Sequence, residues 1–298
     1  MSRPACTTRG SAYGGVGVSR LHNSRIGGRG RREARCTAVA HTGDVAESVS
    51  VDAPELPLPV IMRQSWRDLA SVHWAVDPAV VAPMLPPGTV PDLLDGRTFV
   101  GLLPFRMVGA GLPLGPPVPW LGSFLETNVR LYSVDATGRR GVVFCSLDTD
   151  RLAVVGGARA VLGLPYRWAR MRYHARPTAT GTEHEYDLAV RRPGRVRRTS
   201  RMVVRDLGPM PGGGTELARF VSARWGLHVR WWGRTWYIPN DHEPWPLHRA
   251  ELVALDDDLV AAAGFDGVAG REPDQVLFSP GVQVRFGRPV DACTPRRA

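Results

Sequence analysis

From Met62 to Phe286 short apolar runs alternate with clusters of Gly, Pro, Asp and Asn, a spacing that suits many short strands and few helices. Thr98–Met107 is apolar and β-rich. Ser123–Val134 and Gly141–Asp148 flank a glycine-containing turn, as the arms of a hairpin do. Further strands are predicted at Trp168–Ala175, Glu183–Arg192, Arg195–Arg205, Leu227–Trp231, Thr235–Ile238, Glu251–Leu255, Gln275–Phe278 and Val282–Phe286. Asp77-Pro78 pairs an N-cap with proline at the first helical position, opening a short helix that Pro83 and Pro86-Pro87-Gly88 end. Leu152–Leu162 and Glu216–Trp225 read as helices, and the proline-studded Gly109–Leu121 as a long loop. The pattern predicts a mainly β (α+β) fold, a barrel or sandwich with a few short helices.

Residues 1–58 have no such periodicity. They are rich in Gly, Arg and Ser, and their first acid is Glu33. They are predicted to form a disordered basic extension, with Pro54–Pro59 as a linker into a single domain over residues 59–290. A targeting segment or an RNA-binding arm has a similar composition.

Charge changes this picture little. The net charge is +10 and all 38 basic residues are arginine, but eight arginines and five acids precede Met62. The remaining 30 arginines against 23 acids are a modest excess for a domain of this size, and make specific nucleic-acid binding an unlikely function. Four scattered cysteines form no CxxC pair and no zinc spacing, so no metal is expected and a reducing cytoplasm is the natural compartment. No apolar run approaches the roughly 18 residues of a membrane span. With no glycine-rich phosphate loop, no cofactor is expected either.

The chemistry concentrates in Phe124–Tyr132. Residues two apart in a strand share a face, so Glu126, Asn128, Arg130 and Tyr132 point one way and Leu125, Thr127, Val129 and Leu131 the other. Such a face is either an ordinary solvated one or a polar row lining a barrel interior. A carboxylate, an amide, a guanidinium and a phenol together supply donors and acceptors suited to the second. The returning strand offers Ser146 and Asp148 on one face, in a register the sequence does not fix.

Phe124-Leu-Glu-Thr-Asn-Val-Arg-Leu-Tyr132 followed by Gly141–Asp148 resembles the signature of the YqjF-like bacterial family, a domain of unknown function. Arg63-Gln-Ser-Trp-Arg-Asp68 with His73-Trp74, Leu164–Arg170, and His242–Leu247 leading to Ala250-Glu251-Leu252 follow in the expected order, so the resemblance covers about Met62 to Phe286. It implies the antiparallel β-barrel of acetoacetate decarboxylase, with a site inside. In that enzyme a strand carboxylate faces a Gly-Phe-Pro-Lys-Lys loop, and one lysine forms a Schiff base. Here Glu126 resembles the carboxylate, and Gly163-Leu-Pro-Tyr-Arg167 resembles the loop, with Tyr166 and Arg167 where the lysines would stand. The chain contains no lysine, and arginine stays protonated, so that mechanism is excluded. Strand alternation thus offers Asn128, Arg130, Tyr132, Ser146 and Asp148 as binding residues, and the resemblance adds Arg167. Glu126 and Tyr166 are the expected proton-moving residues, with Arg130 or Arg167 clamping an anion.

Other chemistry-bearing residues have plainer roles. His73, His242 and His248 read as structural, since no metal motif has their spacing. Arg224, Trp225, Arg230, Trp231, Trp232, Arg234 and Trp236 interleave bases and aromatics as single-strand binders do, yet read as barrel wall. Arg191–Arg198 around Pro193-Gly194 reads as a solvated hairpin tip. Three functions remain open: a cofactor-free lyase or hydrolase acting on a small organic acid, a non-enzymatic pocket for a small acidic or carbonyl metabolite, or a nucleic-acid binder. Oligomeric state is not written in the sequence.

Overall fold

The computed structural model describes residues 49–116, 118–191 and 198–293. Its strands, in chain order, are β1 (Met62–Val76), β2 (Thr89–Pro91), β3 (Thr98–Gly111), β4 (Phe124–Asp135), β5 (Arg140–Thr149), β6 (Tyr166–Thr178) and β7 (Gly181–Val190). They continue as β8 (Thr199–Pro209), β9 (Gly226–Trp231), β10 (Arg234–His242), β11 (His248–Asp257), β12 (Gln275–Phe286) and β13 (Val290–Asp291). Four short helices accompany them: α1 (Pro78–Val81), α2 (Leu152–Leu162), α3 (Glu216–Ser222) and α4 (Leu259–Ala262).

All thirteen strands belong to one hydrogen-bonded sheet that closes on itself. Pairings β1–β3, β3–β4, β4–β5, β5–β9, β9–β10, β10–β12 and β12–β1 complete a seven-stranded ring. A second path leaves β5 through β6, β7, β8 and β11 and rejoins at β12. The predicted barrel is therefore present, with a second strand layer attached to it. The pairings are antiparallel except those of β5 with β6 and β9. The β5–β6 exception follows from α2, a crossover helix that returns the chain to run β6 in the direction of β5.

The shared wall is buried on both faces. Val129 and Leu131 of β4 and Leu102 of β3 pack against Tyr186, Leu188, Met202 and Val204 of the outer layer and Leu259 and Val260 of α4. Tyr132, on the other face of β4, packs instead with Phe99, Phe220 and Leu227. The alternation in β4 thus separates two interiors, not core from solvent.

Several boundaries differ from the pattern for local reasons. Gln275–Phe278 and Val282–Phe286 are one strand, because Pro280 falls between the paired residues Ser279 and Gly281, opposite Asp68, whose φ is 48°. There the ladder needs no N–H from β12. Gly281 has φ 122°, and a Cβ on it would lie 1.9 Å from the Trp66 carbonyl. Helix α3 stops at Ser222, short of the predicted Trp225, because Ala223 leaves helical geometry and the chain turns into β9. Residues 49–58, assigned by pattern to the extension, carry contacts of the fold: Leu56 is buried and the Ser50 carbonyl accepts from Trp225 Nε1 at 3.0 Å. Residues 1–48 and the tip at 192–197 lie outside the described residues.

On the outer layer, Arg176–Glu183, Arg205–Glu183, Arg205–Glu251 and Arg201–Glu185 ion pairs absorb part of the arginine excess. Cys145 is free. No described helix is long and apolar enough to cross a membrane.

Candidate active site

The seven-stranded ring holds a cavity of about 500 Å³. Glu126, Asn128 and Arg130 line it, as the period-two reading of β4 requires. Tyr166, the first residue of β6, lines it too, and its hydroxyl donates to Glu126 Oε2 at 2.8 Å. The parallel pairing of Leu147 with Tyr166 makes this contact, because Leu147 also opposes Asn128 and lines the cavity.

Glu126 is only 3% exposed. Burial raises its pKa from an ordinary 4.5 to about 7, against the downward pull of hydrogen bonds from Tyr166 and Asn128. Protonated and ionised forms are then both populated near neutral pH, the condition for exchanging a proton in either direction. Burial and the neighbouring Glu126 push Tyr166 well above the usual phenol range, so its hydroxyl stays a donor.

Further along β4 the cavity is basic. Arg130 Nε donates to the Tyr132 hydroxyl at 3.0 Å, and its Nη2 donates to the Val221 carbonyl of α3 at 2.7 Å. The Tyr132 hydroxyl lies 3.3 Å from that same carbonyl and 2.7 Å from His73 Nε2. One arrangement satisfies the set: Tyr132 donates to Val221 and accepts from Arg130 and from His73 Nε2–H. Burial, then the charges of Arg130 and Arg224, hold the His73 pKa well below its usual value, so the ring is neutral. The ring fits because position 101 is glycine; a Cβ there would meet it at 2.7 Å. Tyr132 is fully buried and absent from the cavity wall, so its expected binding role is corrected to that of a residue positioning Arg130.

Arg224 lines the cavity beside Arg130. Its Nη1 pairs with Asp92, its Nε donates to the Phe220 carbonyl at 2.7 Å, and its buried Nη2 has no protein partner. Asp92 also meets Arg140 at 3.2 Å, while Arg130 has no carboxylate partner among the described residues. Trp66 Nε1, Asn128 Oδ1 and Asn240 Oδ1 are likewise buried, on cavity-lining residues, and without a protein partner. Each such group costs about 1–3 kcal/mol if left unpaired.

Three predicted binding residues lie elsewhere. Arg167 follows Tyr166 and so faces the other side of β6, where it forms a two-point ion pair with the fully buried Asp148. Ser146 opposes Val129 and shares that side of β5; the register then skips to pair Arg130 with Phe144. None of the three lines the cavity. Conversely, Trp66, Arg224, Asn240 and His242 line it; of these, Arg224 and His242 were read as structure, and Trp66 and Asn240 were given no role. A signal existed for two of them, since Ile238, Asn240 and His242 recur with period two. His242 Nδ1 donates to the Glu243 carbonyl at 2.7 Å, leaving Nε2 as an acceptor, and burial lowers its pKa. Of the Arg–Trp segment, Trp225 is buried as expected, but Trp232 is 84% exposed at the β9–β10 turn. Among the described residues no group of His, Cys, Asp or Glu is arranged to hold a metal.

Residues 63–283 match the DUF2071 family, described as an uncharacterized conserved protein. The uncharacterized protein YqjF of Bacillus subtilis (strain 168) is 29% identical over 205 residues, 68% of this chain and 82% of its own. An acetoacetate decarboxylase-like enzyme from Sphingomonas wittichii RW1 superposes with a TM-score of 0.54 at 12% identity, covering 78% of this chain and 94% of that one. Acetoacetate decarboxylase from Legionella pneumophila gives 0.50 at 15% identity, over 85% and 98%. The enduracididine biosynthesis enzyme MppR, complexed with pyruvate, gives 0.53 at 17% identity, over 79% and 91%. The fold is that of the acetoacetate decarboxylase-like enzymes.

Proposed function

The chain belongs to the DUF2071 family, and from that footing we propose that its barrel binds an organic acid or carbonyl metabolite and moves a proton on it without a cofactor or a Schiff base. The observation that carries this reading is Glu126: a buried carboxyl with a pKa of about 7, hydrogen-bonded to Tyr166 and facing a cavity with two arginines. Ionised Glu126 takes a proton from a substrate carbon or a water. Protonated Glu126 returns it, while the Tyr166 hydroxyl hydrogen-bonds the oxygen on which charge develops. Arg130 and Arg224 supply fixed positive charge for the anionic group. A lyase or a hydrolase both fit this scheme.

A non-enzymatic binding protein is the second reading, favoured by the apolar character of most of the wall. Nucleic-acid binding has less support, because Trp225 is buried and Trp231 and Trp236 are half-buried, so that Trp232 is the one exposed ring of that segment. The test is hydrogen–deuterium exchange at carbons beside the carbonyl of eight- to ten-carbon oxo acids with the carbonyl in mid-chain, followed by proton NMR in D2O. Exchange by the wild-type protein that Glu126→Gln abolishes supports the enzyme. Binding without exchange supports the binding protein, and neither binding nor exchange removes both readings.

A further inference from the structure

We propose that the ligand is a medium-chain, amphipathic carboxylic acid, eight or more carbons long or an aryl equivalent, lying along β4 with its carboxylate at the arginines; this rests on the reading of the cavity as an acid-binding site. Three observations set the length and polarity.

First, the anion site and the proton-moving pair are far apart. Glu126 and Arg130 are four residues apart on one strand, about 13 Å of chain at strand rise. The register slip at this point leaves an extra residue on β5, so β4 runs straight through it. Arg130 is also drawn away from Glu126, since Nε and Nη2 are held by Tyr132 and by Val221 of α3. A three- or four-carbon acid cannot touch both ends. A chain of roughly eight to ten carbons can, at about 1.25 Å of extension per bond, comparable with the rise that spaces the two residues.

Second, the volume is too large for a short acid. A cavity of about 500 Å³ equals roughly sixteen water volumes. It falls in the range of about 300–1,000 Å³ that encloses drug-sized ligands. A three-carbon keto acid would occupy a minor part of it.

Third, the wall is mostly apolar and carries its positive charge at one end. Arg130 and Arg224 stand there, among Val142, Val221 and Leu227. At the Phe124 end of β4, Met107, Phe105, Leu121, Val118 and Phe124 contribute carbon surface, with Gln64 and Trp66 beside them. Leu112, which lines the cavity near this end, is itself largely exposed, as are Leu114 and Trp120.

Together these place a carboxylate at Arg130, the middle or far part of the chain beside Glu126 and Tyr166, and the terminal carbons against Met107 and Phe124. The experiment titrates the full chain with butanoate, octanoate and decanoate, and with 1-octanol and 1-decanol, reading the fluorescence of Trp66 and Trp245, both in the wall. From butanoate to octanoate, Kd should fall about fourfold per methylene. The alcohols should bind at least tenfold more weakly than the acids of equal length. Met107→Trp, which fills the apolar end, should weaken decanoate tenfold or more and leave butanoate unchanged. Equal affinity for butanoate and decanoate would overturn the chain-length inference while the acid-binding reading stood. Alcohols binding as tightly as acids would overturn the acid-binding reading and leave an apolar-ligand site. Failure of every acid to bind would overturn both.

Discussion

Tyr166 and Glu126 are 40 residues apart, on strands separated by β5, yet the phenol hydroxyl donates to the carboxyl oxygen at 2.8 Å. The contact depends on α2 carrying the chain over the barrel, so that β6 begins beside Leu147 with its first side chain turned inward. A buried carboxyl with one phenol and one amide for company is incompletely compensated, and that imbalance has a measurable consequence.

The Glu126 pKa rises from 4.5 unfolded to about 7 folded, so the native state holds this proton more tightly. The sign follows: below pH 4.5 the group is neutral in both states and has no effect. Between 4.5 and 7 the unfolded chain ionises first, and stability falls as pH rises, levelling off above about 7. The total is about 3 kcal/mol. Glu126→Gln removes the titration and should match wild type near pH 4.5 and exceed it by about that amount at pH 8. Urea unfolding at both pH values checks this; a variant less stable at pH 8 would show that ionised Glu126 has a stabilising partner.

Arg167 should prove structural. Asp148 is fully buried, and Arg167 is its ion-pair partner on the face of β5 and β6 away from the cavity. Arg167→Ala strands that carboxylate and should cost about 3–5 kcal/mol, while ligand affinity in the cavity changes less than twofold. Adding Asp148→Asn should recover part of the loss. A loss of binding with unchanged stability would return Arg167 to the site.

These residues show what was legible in the sequence. Period-two alternation placed Glu126, Asn128 and Arg130 on one face, because strand geometry is local. It could not say that the other face was equally buried, since Val129 and Leu131 meet an outer layer made of β6, β7, β8 and β11. Register is set by pairing and bulges. A slip between Val129 and Arg130 decides that Phe144 and Leu147, not Ser146 and Asp148, reach the cavity. Arg224 was hidden for another reason: it lies in the turn after α3, where no periodicity applies, and only closure of the ring brings it to Arg130.

The stretch 49–58 offers a test of where the fold begins. Chains starting at residue 49 and residue 59 differ by the burial of Leu56 and the Trp225–Ser50 hydrogen bond. Losing both should cost about 2–3 kcal/mol, or roughly 4–10 °C in Tm for a domain of this size. Coincident melting curves would show that these residues are dispensable.

The last prediction concerns an amine returned to the cavity. The chain has no lysine, so borohydride added with a 3-oxo acid should trap no adduct on any internal residue of the wild-type protein. Of the two positions resembling lysines in acetoacetate decarboxylase, Tyr166 lines the cavity and Arg167 does not. In Tyr166→Lys the amine would sit beside Glu126. Burial favours its neutral form and ionised Glu126 its charged form, leaving a free-amine fraction that grows with pH. That amine can attack the ketone, lose water to form an imine, and be fixed as a secondary amine by hydride. In Arg167→Lys the ammonium would pair with Asp148 outside the cavity and stay protonated. Mass spectrometry should therefore find the reduced adduct at residue 166 in the first variant and none at residue 167 in the second. Asn128→Lys, in the same cross-strand row across Leu147, supplies a second inward amine if the first variant melts without cooperativity. Trapping at residue 167 alone would mean that β6 turns its other face to the cavity, and the pairing of Tyr166 with Glu126 would fall with it.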